Sequence, residues 1–181
     1  MEIIKNIKDI SLLKNLFLAI SATIILAISA KIKIPFYPVP MTMQTFVVLL
    51  IGITFGWRLG LFTVCLYIFE GVIGLPVFAG TPEKGLGISY IIGPTMGYLL
   101  GFLVAVFLSG FLNFSNNHVL NFLKLSLAVS TIYLFGILWL SKFVGWEKVF
   151  ALGAKPFLLA ELFKILLLTL LLPKLLKFRK I

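Results

Sequence analysis

The sequence predicts an all-α polytopic membrane protein: six transmembrane helices joined by structured loops rich in proline and glycine. Three observations point there. Of the 181 residues, 61% are hydrophobic and only 12% charged, with a mean hydropathy of +1.14. Soluble domains run at about half apolar and about a quarter charged, so a water-soluble core cannot hide this much apolar surface. The apolar residues fall into runs near the roughly 20 residues that one bilayer crossing needs, and the length accommodates about six of them with no soluble domain. Prolines and glycines collect between the runs, chiefly in 31–41 and 71–98.

Residues 1–15 carry Lys5, Lys8 and Lys14 among apolar neighbours. They read as an amphipathic lead-in at the membrane surface. The first span is 16–30. In it Ala19, Thr23 and Ala27 recur every four residues, with Ala22 and Ala30 beside them. Small residues at that spacing flatten one helix face and let another helix approach. That face serves either internal packing or docking of a partner subunit.

Residues 31–41, KIKIPFYPVPM, hold Pro35, Pro38 and Pro40. This density of proline excludes helix and favours a stiff, extended segment. The second span, 42–55, is short. Gly56, Trp57 and Arg58 turn the chain into the third span, 59–70. Gly52, Gly56 and Gly60 are four apart, but they cross this turn and are not expected to form one packing face.

The stretch 71–98, GVIGLPVFAGTPEKGLGISYIIGPTMGY, contains seven of the fifteen glycines and three of the eight prolines. It is expected to be an irregular but structured loop, tolerated near a membrane only where protein buries it or a cavity needs it. A binding-site wall, and part of a lid, is the expected role. The fourth span is 94–112, with Pro94 in its first turn and Gly93, Gly97 and Gly101 as a close-packing row. Residues 113–121 form a polar loop with the single histidine, His118. The fifth span is 122–140, and 141–155 is read as a loop anchored by Trp146. Pro156 opens the sixth span, 156–172, and a basic tail follows.

Six spans put both ends on one side. That side carries Lys5, Lys8, Lys14, Arg58, Lys124, Lys174, Lys177, Arg179 and Lys180; the other carries Lys31, Lys33, Lys84, Lys142, Lys148 and Lys155. The excess places both termini in the cytoplasm. The net charge of +10 thus reflects anchoring at the lipid bilayer, and nucleic acid is not an expected partner. Seven prolines then lie outside, so a ligand enters from outside.

Glu161 and Lys164 are the most informative residues. Counted from Pro156, they sit about 7 and 12 Å along the helix, at membrane depth and on one face. Ionisable groups there cost several kcal/mol unless paired or solvated. They form either a structural ion pair or a polar clamp at the bottom of a pocket. In the second reading Glu161 accepts from ligand N–H groups and Lys164 donates to a carbonyl or carboxylate. Gln44, Thr45, Tyr67, Glu70, Thr95 and Tyr98 fall near the same level. Glu70 is better explained as an interfacial residue paired with a loop lysine. Phe36, Tyr37 and Phe78 are candidates to cover an apolar ligand ring, and Tyr90 to add shape.

The runs PFYPVPMTMQT (35–45), GLPVFAG (74–80), GPTMGYLLGF (93–102) and GAKPFLLAELFK (153–164) resemble BioY, the biotin-binding membrane subunit (S component) of energy-coupling-factor (ECF) transporters. The likeness spans about 19–164 in consistent order. It implies six helices with cytoplasmic termini and biotin captured from outside. It also implies partners: an ECF transmembrane coupling subunit and two ATP-binding cassette ATPases, with Ala19, Ala22, Thr23 and Ala27 at the positions that dock the coupling subunit. Glu161 stands where the family usually has aspartate. The expected ligand set is Glu161, Lys164, Gln44, Thr45, Phe78, Tyr90, Thr95, Tyr98 and Tyr67. Glu161 and Lys164 are expected at the ureido end, and Lys164 alternatively at the carboxylate.

Two neighbouring readings are an S component for thiamin or riboflavin and a stand-alone biotin facilitator. An intramembrane enzyme is disfavoured, because one histidine and one aspartate, Asp9, cannot build a metal site or a Ser-His-Asp arrangement at membrane depth. No catalytic residue, metal or cofactor is expected. No G-x-x-x-x-G-K-[ST] run occurs, so ATP hydrolysis would belong to a partner. The lone Cys65 is expected to pack as a small apolar residue.

Overall fold

The computed structural model describes residues 2–34 and 37–178, with side chains from Leu12 onward. Pro35, Phe36, Arg179 and Lys180 lie outside the described residues, and so do the side chains of the expected lead-in up to Ser11. In chain order the elements are α1 (Glu2–Lys31), β1 (Lys33–Ile34), β2 (Met41–Thr42), α2 (Gln44–Val72), α3 (Ile88–Ile91), α4 (Met96–Phe111), α5 (His118–Val144), α6 (Trp146–Gly153), a 3-10 turn (Lys155–Phe157) and α7 (Leu158–Phe178). The strands form one small antiparallel ribbon, with Lys33 opposite Thr42 and Ile34 opposite Met41.

Leu12–Lys31, Gln44–Val72, His118–Val144 and Trp146–Phe178 are long and apolar enough to cross a membrane, and Met96–Phe111 is a shorter apolar helix. The surface has the inverse of a soluble pattern. Leu158, Leu159, Leu162, Phe163, Leu166, Leu167 and Leu170 of α7 are exposed, while Glu161 and Lys164 of the same helix are buried. Such apolar surface suits lipid as its solvent.

α2 is two helices. Gly56 has φ 75° and ψ 173°, a conformation open to glycine but costly for other residues. The chain folds back there, at the turn expected around Gly56-Trp57-Arg58. Gln44 and Tyr67 would stand roughly 35 Å apart along one straight helix, yet Gln44 Nε2 donates to the Tyr67 hydroxyl at 2.7 Å. Gly52 and Gly60 do share a packing face after all. A Cβ on Gly60 would lie 3.4 Å from Gly52 Cα, because the fold-back sets the two glycines opposite each other. α4 closes over this hairpin, with Val106 and Ser109 against Gly52.

α4 then packs on α5 through two of the three expected glycines. A Cβ on Gly101 would meet Ile132 Cα at 2.5 Å, and one on Gly97 would run into the Phe135 carbonyl. Gly93 precedes the helix and instead accepts from Trp139 Nε1 at 2.9 Å. Pro94 is likewise outside α4, whose N-cap is Thr95.

Several expected boundaries move. His118 starts α5, with Asn117 as N-cap accepting from the Leu120 amide. The expected loop 141–155 holds the end of α5 and the whole of α6, whose Val149 is buried while Trp146 and Phe150 are exposed. α7 continues through Pro173 to Phe178. Ala19, Ala22 and Thr23 are buried, and α1 packs on α2; Ala27 is half-buried. Internal packing therefore accounts for the first three members of the small-residue face. Cys65 is exposed on α2 rather than packed inside.

Candidate functional site

The end of the bundle where α1 stops and α7 begins carries the β-ribbon and residues 73–95, and is called the loop end below. A cavity opens there among the ribbon, the start of α2, α3, α4, α5 and α7. Its lining includes Thr42, Gln44, Thr45, Ala79, Tyr90, Thr95, Tyr98, Tyr133, Phe157 and Glu161. Space reachable by the centre of a water molecule is about 60 Å³.

Glu161 lies in the first turn of α7, where Pro156 in the preceding 3-10 turn sets the helix entry. Its Oε1 accepts from Lys164 Nζ at 2.8 Å and from Thr45 Oγ1 at 2.9 Å. Lys164 sits one turn deeper. Its ammonium also donates to the Thr42 carbonyl at 2.6 Å and to Thr45 Oγ1 at 3.0 Å. Three donors thus meet three acceptors, which offsets the desolvation of a buried cation. The second carboxylate oxygen, Oε2, is buried and has no hydrogen bond of 3.5 Å or less. The Tyr133 hydroxyl is a hydrogen-bonding neighbour of this carboxylate. A buried acceptor left open is costly, on the order of 1–3 kcal/mol or more when charged, and marks where an outside donor would be stabilised.

The opposite wall has another logic. The Tyr67 hydroxyl accepts from Gln44 and donates to the Val77 carbonyl at 2.9 Å. Tyr90 donates to the Ala79 carbonyl at 2.8 Å. Tyr98 donates to the Gly153 carbonyl at 2.7 Å. Phe78 is fully buried between two of these rings: its centroid is 4.8 Å from that of Tyr90, stacked, and 5.4 Å from that of Tyr67, edge-on. Burial pushes the Tyr90 phenol up from its ordinary pKa, against a smaller opposing pull from Thr95, so it stays a protonated donor. Tyr90 and Tyr98 use their polar tips on backbone and present ring surface to the cavity.

Of the expected ligand residues, Glu161, Gln44, Thr45, Tyr90, Thr95 and Tyr98 line the cavity. Lys164, Tyr67 and Phe78 do not: Lys164 stands behind Glu161 and Thr45, and Tyr67 and Phe78 stand behind Tyr90 and Gln44. Glu70 pairs with no loop lysine; its carboxylate accepts from Thr23 Oγ1 at 2.9 Å, on the flank beside α1. Tyr37 is 85% exposed and away from the cavity. Thr42, Phe157 and Tyr133 were not anticipated. Tyr133 had a usable signal, a hydroxyl in the middle of an apolar helix. Phe157, one residue after Pro156, had none.

The BioY family model matches residues 4–180. The chain is 36% identical over 157 residues to the probable biotin transporter BioY of Pyrococcus horikoshii, covering 87% of this chain and 89% of that one. It is 35% identical over 145 residues to the biotin transporter BioY of Thermotoga maritima, covering 79% and 84%. Its fold matches the crystal structure of an S component for biotin from an ECF-type ABC transporter, with a TM-score of 0.78 and 25% identity over 92% and 93% of the two chains.

Proposed function

This chain belongs to the BioY family, and from that footing we propose that it is a high-affinity biotin-binding membrane subunit of an ECF-type vitamin uptake transporter. The observation that carries the reading is the Glu161 carboxylate, whose buried Oε2 has no hydrogen bond of 3.5 Å or less, on the wall of a cavity lined mainly by rings and aliphatic side chains, with Thr42, Gln44, Thr45 and Thr95 as its other polar members. Biotin has the matching chemistry. Its ureido ring offers N–H donors to a carboxylate, its fused rings are apolar, and its valerate ends in an anion.

In this reading Glu161 takes a ureido N–H. Tyr90, Tyr98 and Phe157 face the space for the bicycle, which at about 60 Å³ has to widen to admit it, and Gln44, Thr45 and Thr95 supply the remaining polar edge. Lys164 holds Glu161 and Thr45 in place; to touch the ligand it would have to release one of its three acceptors. Tyr67 and Phe78 support Gln44 and Tyr90 from behind.

The chain forms a single domain of six membrane helices over 1–181, the two arms of α2 counting as two. The loop end faces outward and both termini are cytoplasmic, as the excess of cations at the opposite end favours. Energy comes from partners, a coupling subunit and two ATPases.

The test is equilibrium binding of labelled biotin to the purified protein, with competition by thiamin and riboflavin. Saturable binding that unlabelled biotin alone displaces is expected. Absence of saturable binding, or equal displacement by another vitamin, would remove the proposal.

A further inference from the structure

Residues 77–81 form a strip with no helix or sheet to pair its carbonyls. Four of them accept from side chains, and the Phe78 carbonyl also accepts from the Thr81 amide at 3.3 Å. Tyr67 serves Val77 and Tyr90 serves Ala79. Lys31, at the last turn of α1, serves the other two: its Nζ lies 3.1 Å from the Phe78 carbonyl and 3.0 Å from the Thr81 carbonyl. It also lies 3.0 Å from Thr81 Oγ1, which itself donates to the Phe78 carbonyl at 2.7 Å.

The two tyrosines come from the α2 hairpin and from α3, segments contiguous with the strip. Lys31 comes from 47 to 50 residues away, on a helix that lines no part of the cavity. Between the two carbonyls it holds sits Ala79, a cavity residue, whose own carbonyl takes the Tyr90 hydroxyl. Phe78 is wedged over Gly71 and stacked on Tyr90. A shift of the strip therefore moves Ala79 and Tyr90 together.

We infer that Lys31 is a positioning residue for the cavity: by holding the Phe78 and Thr81 carbonyls it sets where Ala79 and Tyr90 stand and so how long a bound ligand stays. The inference rests on the biotin reading for its ligand, but not for its geometry. It makes the strip a braced part of the wall expected of 71–98. It also makes the far end of α1 part of the site's mechanics.

Lys31→Met keeps the apolar stem and removes the donor. Losing charge-assisted hydrogen bonds to two carbonyls is expected to raise the biotin dissociation rate about tenfold, with Lys31→Arg restoring it to within about threefold of the parent rate. Lys33→Met is the control for charge alone. Lys33 is the neighbouring cation on β1 and sits close enough to act on Lys31; its loss should leave the dissociation rate unchanged. Amide exchange in ligand-free protein should quicken across 77–91 in Lys31→Met and not in Lys33→Met.

An unchanged dissociation rate in Lys31→Met would overturn the inference, even with faster exchange, because the residue would then brace the loop without setting the site. An equal effect from Lys33→Met, or no rescue by arginine, would overturn it too. If the parent protein binds no biotin, the proposed function fails on its own, and exchange alone decides: quickening that reaches Tyr90 supports the brace, and an unchanged profile overturns it.

Discussion

The two walls of the cavity handle polar groups in opposite ways. On the α7 wall, Lys164 and Thr45 satisfy one oxygen of Glu161 and leave the other with only the neighbouring Tyr133 hydroxyl in reach among the described residues. On the tyrosine wall each tyrosine hydroxyl is committed to a backbone carbonyl, and the tyrosines leave only ring surface for a ligand. A single strong acceptor facing apolar cover makes a site that chooses by where a donor sits on an otherwise greasy ring. Affinity should then concentrate in one residue on the first wall and spread thinly over the second.

Substitutions can break that contrast, the severest first. Glu161→Gln keeps the shape and removes the charged acceptor; biotin affinity should fall about a hundredfold or more, roughly 3 kcal/mol. A loss below about fivefold in a binding titration would mean that the open oxygen is not the anchor. Lys164→Met should weaken binding about thirtyfold, because Glu161 and Thr45 lose their shared donor. In a double-mutant cycle the two changes should be strongly non-additive, since both act on one carboxylate. Additive losses would instead give Lys164 a contact of its own with the ligand.

On the other wall, Tyr67→Phe leaves Gln44 Nε2 and the Val77 carbonyl each short of a partner. A loss of about tenfold is expected, visible in titration and as a lower melting temperature of the ligand-free protein. Tyr90→Phe removes one neutral bond to Ala79 and keeps the ring; about threefold is expected. If Tyr90→Phe cost as much as Glu161→Gln, the two walls would not differ in kind. At the bottom of the scale, Tyr37→Ala should leave affinity within about twofold, because the residue is exposed and off the cavity.

The α7 wall was the more legible in the sequence. An ionisable residue in an apolar helix is costly wherever it points, so Glu161 and Lys164 stand out with no knowledge of the fold. Which of the two faces the cavity was not legible. That depends on Thr42 and Thr45 being brought to Lys164 from 122 and 119 residues away. On the tyrosine wall the residues are legible and their division of labour is not: Tyr67, Phe78, Tyr90 and Tyr98 are all expected at the site, but which carbonyl each hydroxyl finds, and so which ring faces the cavity, depends on the folded loop. The glycines of 71–98 give the backbone freedom in the sequence, which fits a wall and a lid alike. Side-chain donors from three elements remove that freedom.

Helix existence followed from apolar runs and helix ends did not. α6 was hidden because 146–153 is too short and too mixed to look like a span, though its apolar residues recur at helical spacing. The turn that separates Gly52 from Gly60 along the chain is the one that brings them into contact.

The hairpin at Gly56 has a consequence for how the protein is made. Its arms meet through partners 23 residues apart or fewer, so they can close as soon as they leave the ribosome, and loop-closure entropy hardly opposes them. Thr45 on that hairpin meets Glu161 across 116 residues. The acceptor wall is therefore the last part of the site to assemble during synthesis. A nascent chain arrested before α7 would carry the tyrosine wall complete and have nothing with which to grip a ligand.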